Sequence, residues 1–317
     1  MPSLTGKVRE LPRTALTCTV PREYVHRAAV SEVLLTNWDT VEEERADGAP
    51  EFVVRAQWPR GHALFAQERG YQDPMLLVES VRQAGALLAH AEFDVPFGHQ
   101  FLMWDMSFEA GPDLFLAEGV PTEVELRTSC SDIVRRGRAL SEMRYHVTAV
   151  RDGRPMATAT AGFRCLSPVV YRRLREGRPL GAPVPLPLGA LPHTEVGRPG
   201  VGHVVLARPL PGDRDRWQLR VDTGHPIFFD HPVDHVPGMV LLEAARQAAY
   251  AATGLTDAVL TAATTDFTKY VELDRPCWIE AEVGPDGDCG GRTVRVRGVQ
   301  EDCTVFRSDL CLLPRPR

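Results

Sequence analysis

One pattern occurs twice in this chain, and any fold it adopts must hold both copies. His62-Ala-Leu-Phe65 followed by Met75-Leu-Leu-Val-Glu79-Ser-Val-Arg82-Gln83-Ala84 returns as His225-Pro-Ile-Phe228 followed by Met239-Val-Leu-Leu-Glu243-Ala-Ala-Arg246-Gln247-Ala248, with one residue more between histidine and glutamate. The spacing is close to half of the 317 residues, so a mid-sized fold has been duplicated. Between the copies, Gly177–Gly200 is rich in proline and glycine and reads as an extended, semi-rigid strap. The expected organisation is a repeat at 1–176, a linker at 177–202 and a second repeat at 203–317.

Each copy runs through the same elements. A strand comes first, with Phe52, Val54, Ala56 and Trp58 alternating against Val53, Arg55 and Gln57, and Trp217, Leu219 and Val221 alternating against Gln218, Arg220 and Asp222. A mostly apolar helix follows at about 74–91 and 238–253, and then several strands with hairpin turns at Arg151-Asp-Gly-Arg154 and Glu301-Asp-Cys303. One buried helix followed by an antiparallel meander is the order of a hotdog fold. The expected class is α+β, a double hotdog closed as an intrachain pseudo-dimer.

Composition removes several alternatives. Hydrophobic residues make up 44%, enough for a core, and no run approaches the ~20 apolar residues that span a bilayer. The N-terminus has no apolar segment ahead of a cleavage site, so a cytoplasmic protein without membrane contact is expected. Net charge is −6 with dispersed basic residues, which argues against nucleic acid. Seven scattered cysteines without a C-x-x-C pair read as reduced thiols, with neither disulfides nor a structural metal.

The helices hold the polar exceptions that could do chemistry. Glu79, Arg82 and Gln83, and likewise Glu243, Arg246 and Gln247, stand at i, i+3 and i+4 and share one face. On a solvated helix this would be a routine ion pair. In an apolar helix a buried pair stabilises poorly, so a stripe built twice points to a pocket lining. Before the second helix lie His225, His231 and His235, broken by prolines and therefore without the spacing of a helical metal site. Histidine near a buried glutamate suits acid–base work, and Gly238 at the helix start lets free N–H groups meet an oxyanion. The first copy has Asp73-Pro74 there and nothing matching His231 or His235, so the second site is the better equipped. Lys269, one of two lysines, is a candidate phosphate contact or a chance survivor. His62, His90 and His99 read as structural. The arginines at 135, 136, 138, 172, 173 and 175 fit either an acidic partner or a solvated face.

The stretch FFDHPVDHVPGMVLLEAARQA resembles the active site of β-hydroxyacyl carrier-protein dehydratases, with His231 and Glu243 in the paired roles and Asp230 where that family has glycine. A longer resemblance, across nearly the whole chain, is to the AfsA-type (A-factor synthase) hotdog family. It is carried by Val25-His26-Arg27, AQWPRGHALF, DPMLLVESVRQAGALLAHAEFDVPFGHQFLMWDMSF and HPIFFDHPVDHVPGMVLLEAARQA. This resemblance implies transfer of a β-ketoacyl group from acyl carrier protein to dihydroxyacetone phosphate, then closure to a phosphorylated butenolide, without a cofactor. In that chemistry Glu243 or His231 would be the base and Arg246 the phosphate or carbonyl partner, because guanidinium binds phosphate as a fork. Glu79 and Arg82 would complete the pocket or form a degenerate copy. Gly238, His235, Gln247 and Lys269 would contact substrate, and the chain would be monomeric or a homodimer. The rivals are a dehydratase or thioesterase, and a non-catalytic lactone binder.

Overall fold

The computed structural model describes residues 17–41, 49–181, 186, 189–212, 214–286 and 290–315. In the first half, β1 (Leu35–Thr40) and β2 (Glu51–Trp58) precede helix α1 (Met75–Ala91), and β3 (Gln100–Ala110), β4 (Thr122–Arg136), β5 (Ala139–Arg151) and β6 (Arg154–Leu166) follow it. A short helix α2 (Pro168–Leu174) leads towards the second half. There β7 (Arg216–Gln218) precedes α3 (Gly238–Thr253), and β8 (Ala258–Phe267), β9 (Trp278–Asp286), β10 (Arg292–Gln300) and β11 (Cys303–Pro314) complete the meander.

All these strands form one antiparallel sheet in the order β1-β2-β4-β5-β6-β3-β8-β11-β10-β9-β7. The halves meet edge to edge where β3 pairs with β8, Ser107 opposite Thr264 and Phe108 opposite Ala263. Closing each half's edge on the other removes two exposed strand edges that would invite aggregation. The double hotdog expected from the repeats is the observed architecture.

Local chemistry explains the elements. In β2, Phe52, Val54, Ala56 and Trp58 are all buried while their neighbours are not, the predicted alternation. The β5–β6 turn has Asp152 and Gly153 at positive φ, and the β10–β11 turn has Glu301 and Asp302 there, as tight hairpins require. Helix α1 is buried nearly all round, and its Gly85 admits the Tyr145 ring, where an added Cβ would stand 2.6 Å from the Tyr145 hydroxyl. That hydroxyl donates to the Val81 carbonyl at 2.9 Å, satisfying it in the core. In the second half Trp217, Leu219 and Val221 are buried as expected, but the regular strand ends at Gln218 and Leu219 continues only as a bridge to Leu206.

The proline-rich stretch is more than a strap. Its end forms a 3-10 turn, His193–Val196, closed by Gly197 at φ 60°, and repeats the turn Arg22–Val25 closed by His26 at φ 54°. Arg198, assigned to the linker from sequence, is buried against α3, so the working second unit begins before residue 203.

Candidate functional site

Each glutamate on a central helix gathers the same frame. Gln83 donates to Glu79 at 2.7 Å and to the Glu32 carbonyl, while accepting from Leu34 N–H. Gln247 donates to Glu243 at 2.6 Å and to the His203 carbonyl, while accepting from Val205 N–H. An arginine from the preceding arm binds each glutamate: Arg27 donates to Glu79 at 3.0 Å, and Arg198 donates to both oxygens of Glu243 at 2.7 Å. Both arms also cross to the other half, Arg27 donating to the Ile227 carbonyl and Arg198 to that of Leu64. Two related polar centres result.

The centre on α3 is almost closed, reached by a small pocket lined by Asp73, Arg198, Arg246 and Tyr250. Glu243 is fully buried and the Arg246 side chain is 3% exposed. Arg246 donates twice to Glu243 Oε2, at 3.0 and 2.5 Å, and once to Asp73 at 2.5 Å. Asp73 also accepts from Arg198 at 3.2 Å and from the Met75 N–H at 2.9 Å, capping α1. Two arginines face two carboxylates. Burial pushes the Glu243 and Asp73 carboxyls upward against the pull of Arg198, and every oxygen of Glu243 is already engaged. With Arg198, Arg246 and Gln247 all donating to it, Glu243 has no lone pair left for a substrate proton.

The centre on α1 is open on one side. Arg82 donates to both oxygens of Glu79, at 2.8 and 2.7 Å, and to the Val25 carbonyl at 3.1 Å. Its side chain is 23% exposed, and among the described residues its Nη1 has no hydrogen-bond partner. Burial alone would raise the Glu79 carboxyl, but Arg27 and Arg82 prevail and bring it down to about 2. It is a fixed anion rather than a base.

His231 belongs to this second centre. Its Nδ1 lies 2.5 Å from Asp230, which accepts from Ala28 N–H at 2.9 Å and stands 3.7 Å from Arg27. Its side chain is 45% exposed at the mouth. The structure thus places His231 across the halves from its own copy, with no hydrogen bond to Glu243 or Arg246 among the described residues, because the loop before α3 packs against the arm of the first half. Gly238 is the first residue of α3, whose start has no side-chain cap. Gln247 orients Glu243 from within. His235 instead bonds Asp234 at 2.7 Å, in a network where Arg175 pairs with Asp234 and Glu272. Arg175 is thus a buried tie and not part of a solvated basic face. Lys269 is exposed, and only its backbone bond to Val305 is seen.

Sequence reasoning passed over Arg198, Asp73 and Asp230 as site residues. The signal for Arg198 was the second Val-x-Arg, Val196-Gly197-Arg198 against Val25-His26-Arg27. Among the described residues no cluster of three or more His, Cys, Asp or Glu side chains is arranged to hold a metal ion, and Cys130, Cys165 and Cys277 are free thiols pushed up to about 12 by burial.

Between the helices an apolar cavity is lined by Met75 and Val78 of α1, Leu242 of α3, and Met106, Phe108 and Leu260 of the joining strands. Val78 and Leu242 each precede a site glutamate in sequence, and the cavity itself is lined by neither polar centre.

A sheet shared by two helices, each with a Glu–Arg–Gln trio, one almost fully buried and one with a partly exposed arginine, defines a double-hotdog protein with two unequal polar centres. The chain belongs to the A-factor biosynthesis hotdog domain family (AfsA), whose description matches residues 10–167 and 186–310. It is 51% identical over 298 residues to a 2-oxo-3-(phosphooxy)propyl 3-oxoalkanoate synthase of Streptomyces virginiae, covering 92% of this chain and 96% of that one. A protein of the same name from Streptomyces coelicolor is 39% identical over 308 residues, covering 95% and 93%. Among solved structures, a protein assigned as a thioesterase from Novosphingobium aromaticivorans aligns with TM-score 0.50 at 14% identity, over 86% of this chain and 98% of that one. That likeness speaks for the fold alone. No helix among the described residues is long and apolar enough to cross a membrane.

Proposed function

We propose that this chain transfers a β-ketoacyl group from an acyl carrier-protein thioester to the hydroxyl of dihydroxyacetone phosphate and promotes ring closure to a phosphorylated butenolide, at the centre formed by Glu79, Arg82, Arg27 and His231. The name of the relatives supports the first step, since it describes the ester of a 3-oxo acid with that phosphorylated hydroxyketone. The apolar side chains beside Val78 and Leu242 match the chemistry of an acyl chain, which would have to widen the small void between them to enter.

One observation carries the placement of the reaction. In the α3 centre the Asp73 carboxylate bridges the Met75 N–H, Arg246 and Arg198. In the α1 centre the matching residue is Pro237, which brings no anion, so the Met239 N–H, Arg82 and Arg27 are the counterparts of those three donors. An anionic or oxyanionic group of the substrate fits where Asp73 serves as the built-in occupant of the other centre. Arg82 offers phosphate the N–H groups of Nη1, the nitrogen not spent on Glu79 and Val25, and His231 held by Asp230 adds a polar group beside Arg27. Glu243, Arg246 and Gln247 then support the second half of the sheet.

The test is turnover. Purified protein given a β-ketoacyl carrier-protein thioester and dihydroxyacetone phosphate should yield the phosphorylated ester and butenolide by mass spectrometry. Hydrolysis or hydration of the thioester, with no product containing the acceptor, would favour a thioesterase or dehydratase.

A further inference from the structure

We infer that His26, oriented by His90, is the general base of the open centre, an inference that rests on the acyl-transfer reading above. Hydrogen-bond logic fixes the tautomers. His90 Nδ1 lies 2.7 Å from the Val95 carbonyl, which only accepts, so this nitrogen carries the proton. A neutral imidazole has one N–H, so His90 Nε2 accepts. His26 Nε2, 2.7 Å away, must donate, and a neutral His26 keeps its lone pair on Nδ1. Both rings are neutral, because burial lowers both, and Arg82, His90 and His231 help bring His26 down to about 3.

The His26 ring packs against His90 and Phe101, close enough to the centre for the charges of Arg82 and His231 to bear on it. Val25, on one side, accepts from Arg82; Arg27, on the other, binds Glu79. Phe101 packs against both imidazoles, with centroids 4.5 Å from His26 and 5.1 Å from His90. His26 also sits in the left-handed region, φ 54° and ψ 48°, a conformation that glycine adopts freely and a residue with a Cβ does not. The other half makes the contrast. Gly197 stands at the matching place with nearly the same backbone angles, and Gly254 matches His90. The Tyr250 ring lies 3.3 Å from where a Cβ on Gly197 would be. The chain thus accepts strain to place an imidazole beside the open centre and fills the nearly closed one with a phenol.

The step balances without a further reagent. His26 Nδ1 takes the acceptor hydroxyl proton as that oxygen bonds to the thioester carbonyl carbon; the C–S bond breaks, and the departing thiolate takes the proton back. Burial, and the charges of Arg82 and His231 that bear on its ring, weaken His26 in the free protein. A phosphate on Arg82 cancels part of that field, so acceptor binding strengthens the base it needs.

His26→Gly tests this, since glycine relieves the strained backbone and already serves at Gly197. The expected result is a loss of on the order of 10²–10⁴ in kcat, with KM for the phosphorylated acceptor changed less than about threefold and activity partly restored by added imidazole. Unchanged kcat, a loss carried in KM, or no rescue by imidazole overturns the assignment. Nitrogen NMR of histidine-labelled wild-type protein gives a readout independent of turnover. A lone pair on His26 Nδ1 supports the relay, and a protonated Nδ1 overturns it. An inactive wild type with the expected tautomer would count against the acyl-transfer reading alone.

Discussion

Glu79 and Glu243 occupy the same place on duplicated helices, and their neighbours assign them different work. Glu243, Arg198, Arg246 and Asp73 form a buried set of four charges. Removing one member of such a set leaves a charge buried and unpaired, so Glu243→Gln is expected to cost about 3–5 kcal/mol in urea denaturation. Glu79 contributes differently with pH. Its carboxyl is lowered from 4.5 to about 2 in the folded chain, so the stability it adds is complete above its unfolded value and is lost as pH falls from about 4.5 towards 2. The gap in urea midpoint between wild type and Glu79→Gln should narrow over that window; a gap constant with pH would contradict the ion pair. At this scale the helical trios were legible because spacing places them on one face. The partners were not, since Arg198 and Asp230 arrive from segments distant in sequence, and Asp230 was noticed only as a departure from glycine.

The two helix beginnings show how one element can be tuned by one residue. Helix α1 begins with Asp73 capping Met75 and binding Arg246; α3 begins with Pro237 and has no side-chain cap. Pro237→Asp should therefore do two things. A carboxylate cap adds about 0.5–2 kcal/mol to stability, and the same group should occupy Arg82, raising KM for the phosphorylated acceptor at least about tenfold. Higher Tm with undiminished acceptor binding would show that the α3 start does not face the substrate. Helix bounds and the β2 pattern were readable from periodicity. The arm at 193–198 was not, because proline and glycine signal an absence of regular structure and are silent about a buried arginine at its end.

At the scale of the whole molecule, the two hotdogs are bound by more than the strap. Arg27 and Arg198 each reach a carbonyl of the other half, Asp73 completes the α3 centre, and β3 pairs with β8. Residues 1–176 and 177–317 expressed apart should each expose a strand edge and an incomplete ion cluster, and recover solubility only on co-expression; two soluble monomers would contradict the shared core. The duplication itself was visible in sequence, together with its chemical lopsidedness. The crossing between halves was not, since His231 of the second copy bonds Asp230, which stands beside Arg27 of the first, a juxtaposition that only the folded chain displays. The central claim, one open centre on α1 and one nearly closed centre on α3, is tested most directly by comparing Arg82→Ala with Arg246→Ala in steady-state transfer to dihydroxyacetone phosphate, with Tm measured on both. Arg82→Ala is expected to raise acceptor KM at least about tenfold, as for a lost charge-assisted contact, with a smaller fall in Tm than Arg246→Ala because Arg27 still pairs Glu79, while Arg246→Ala leaves kcat/KM of the folded enzyme within about threefold. A selective loss of acceptor binding in Arg246→Ala, with Arg82→Ala fully active, would contradict it.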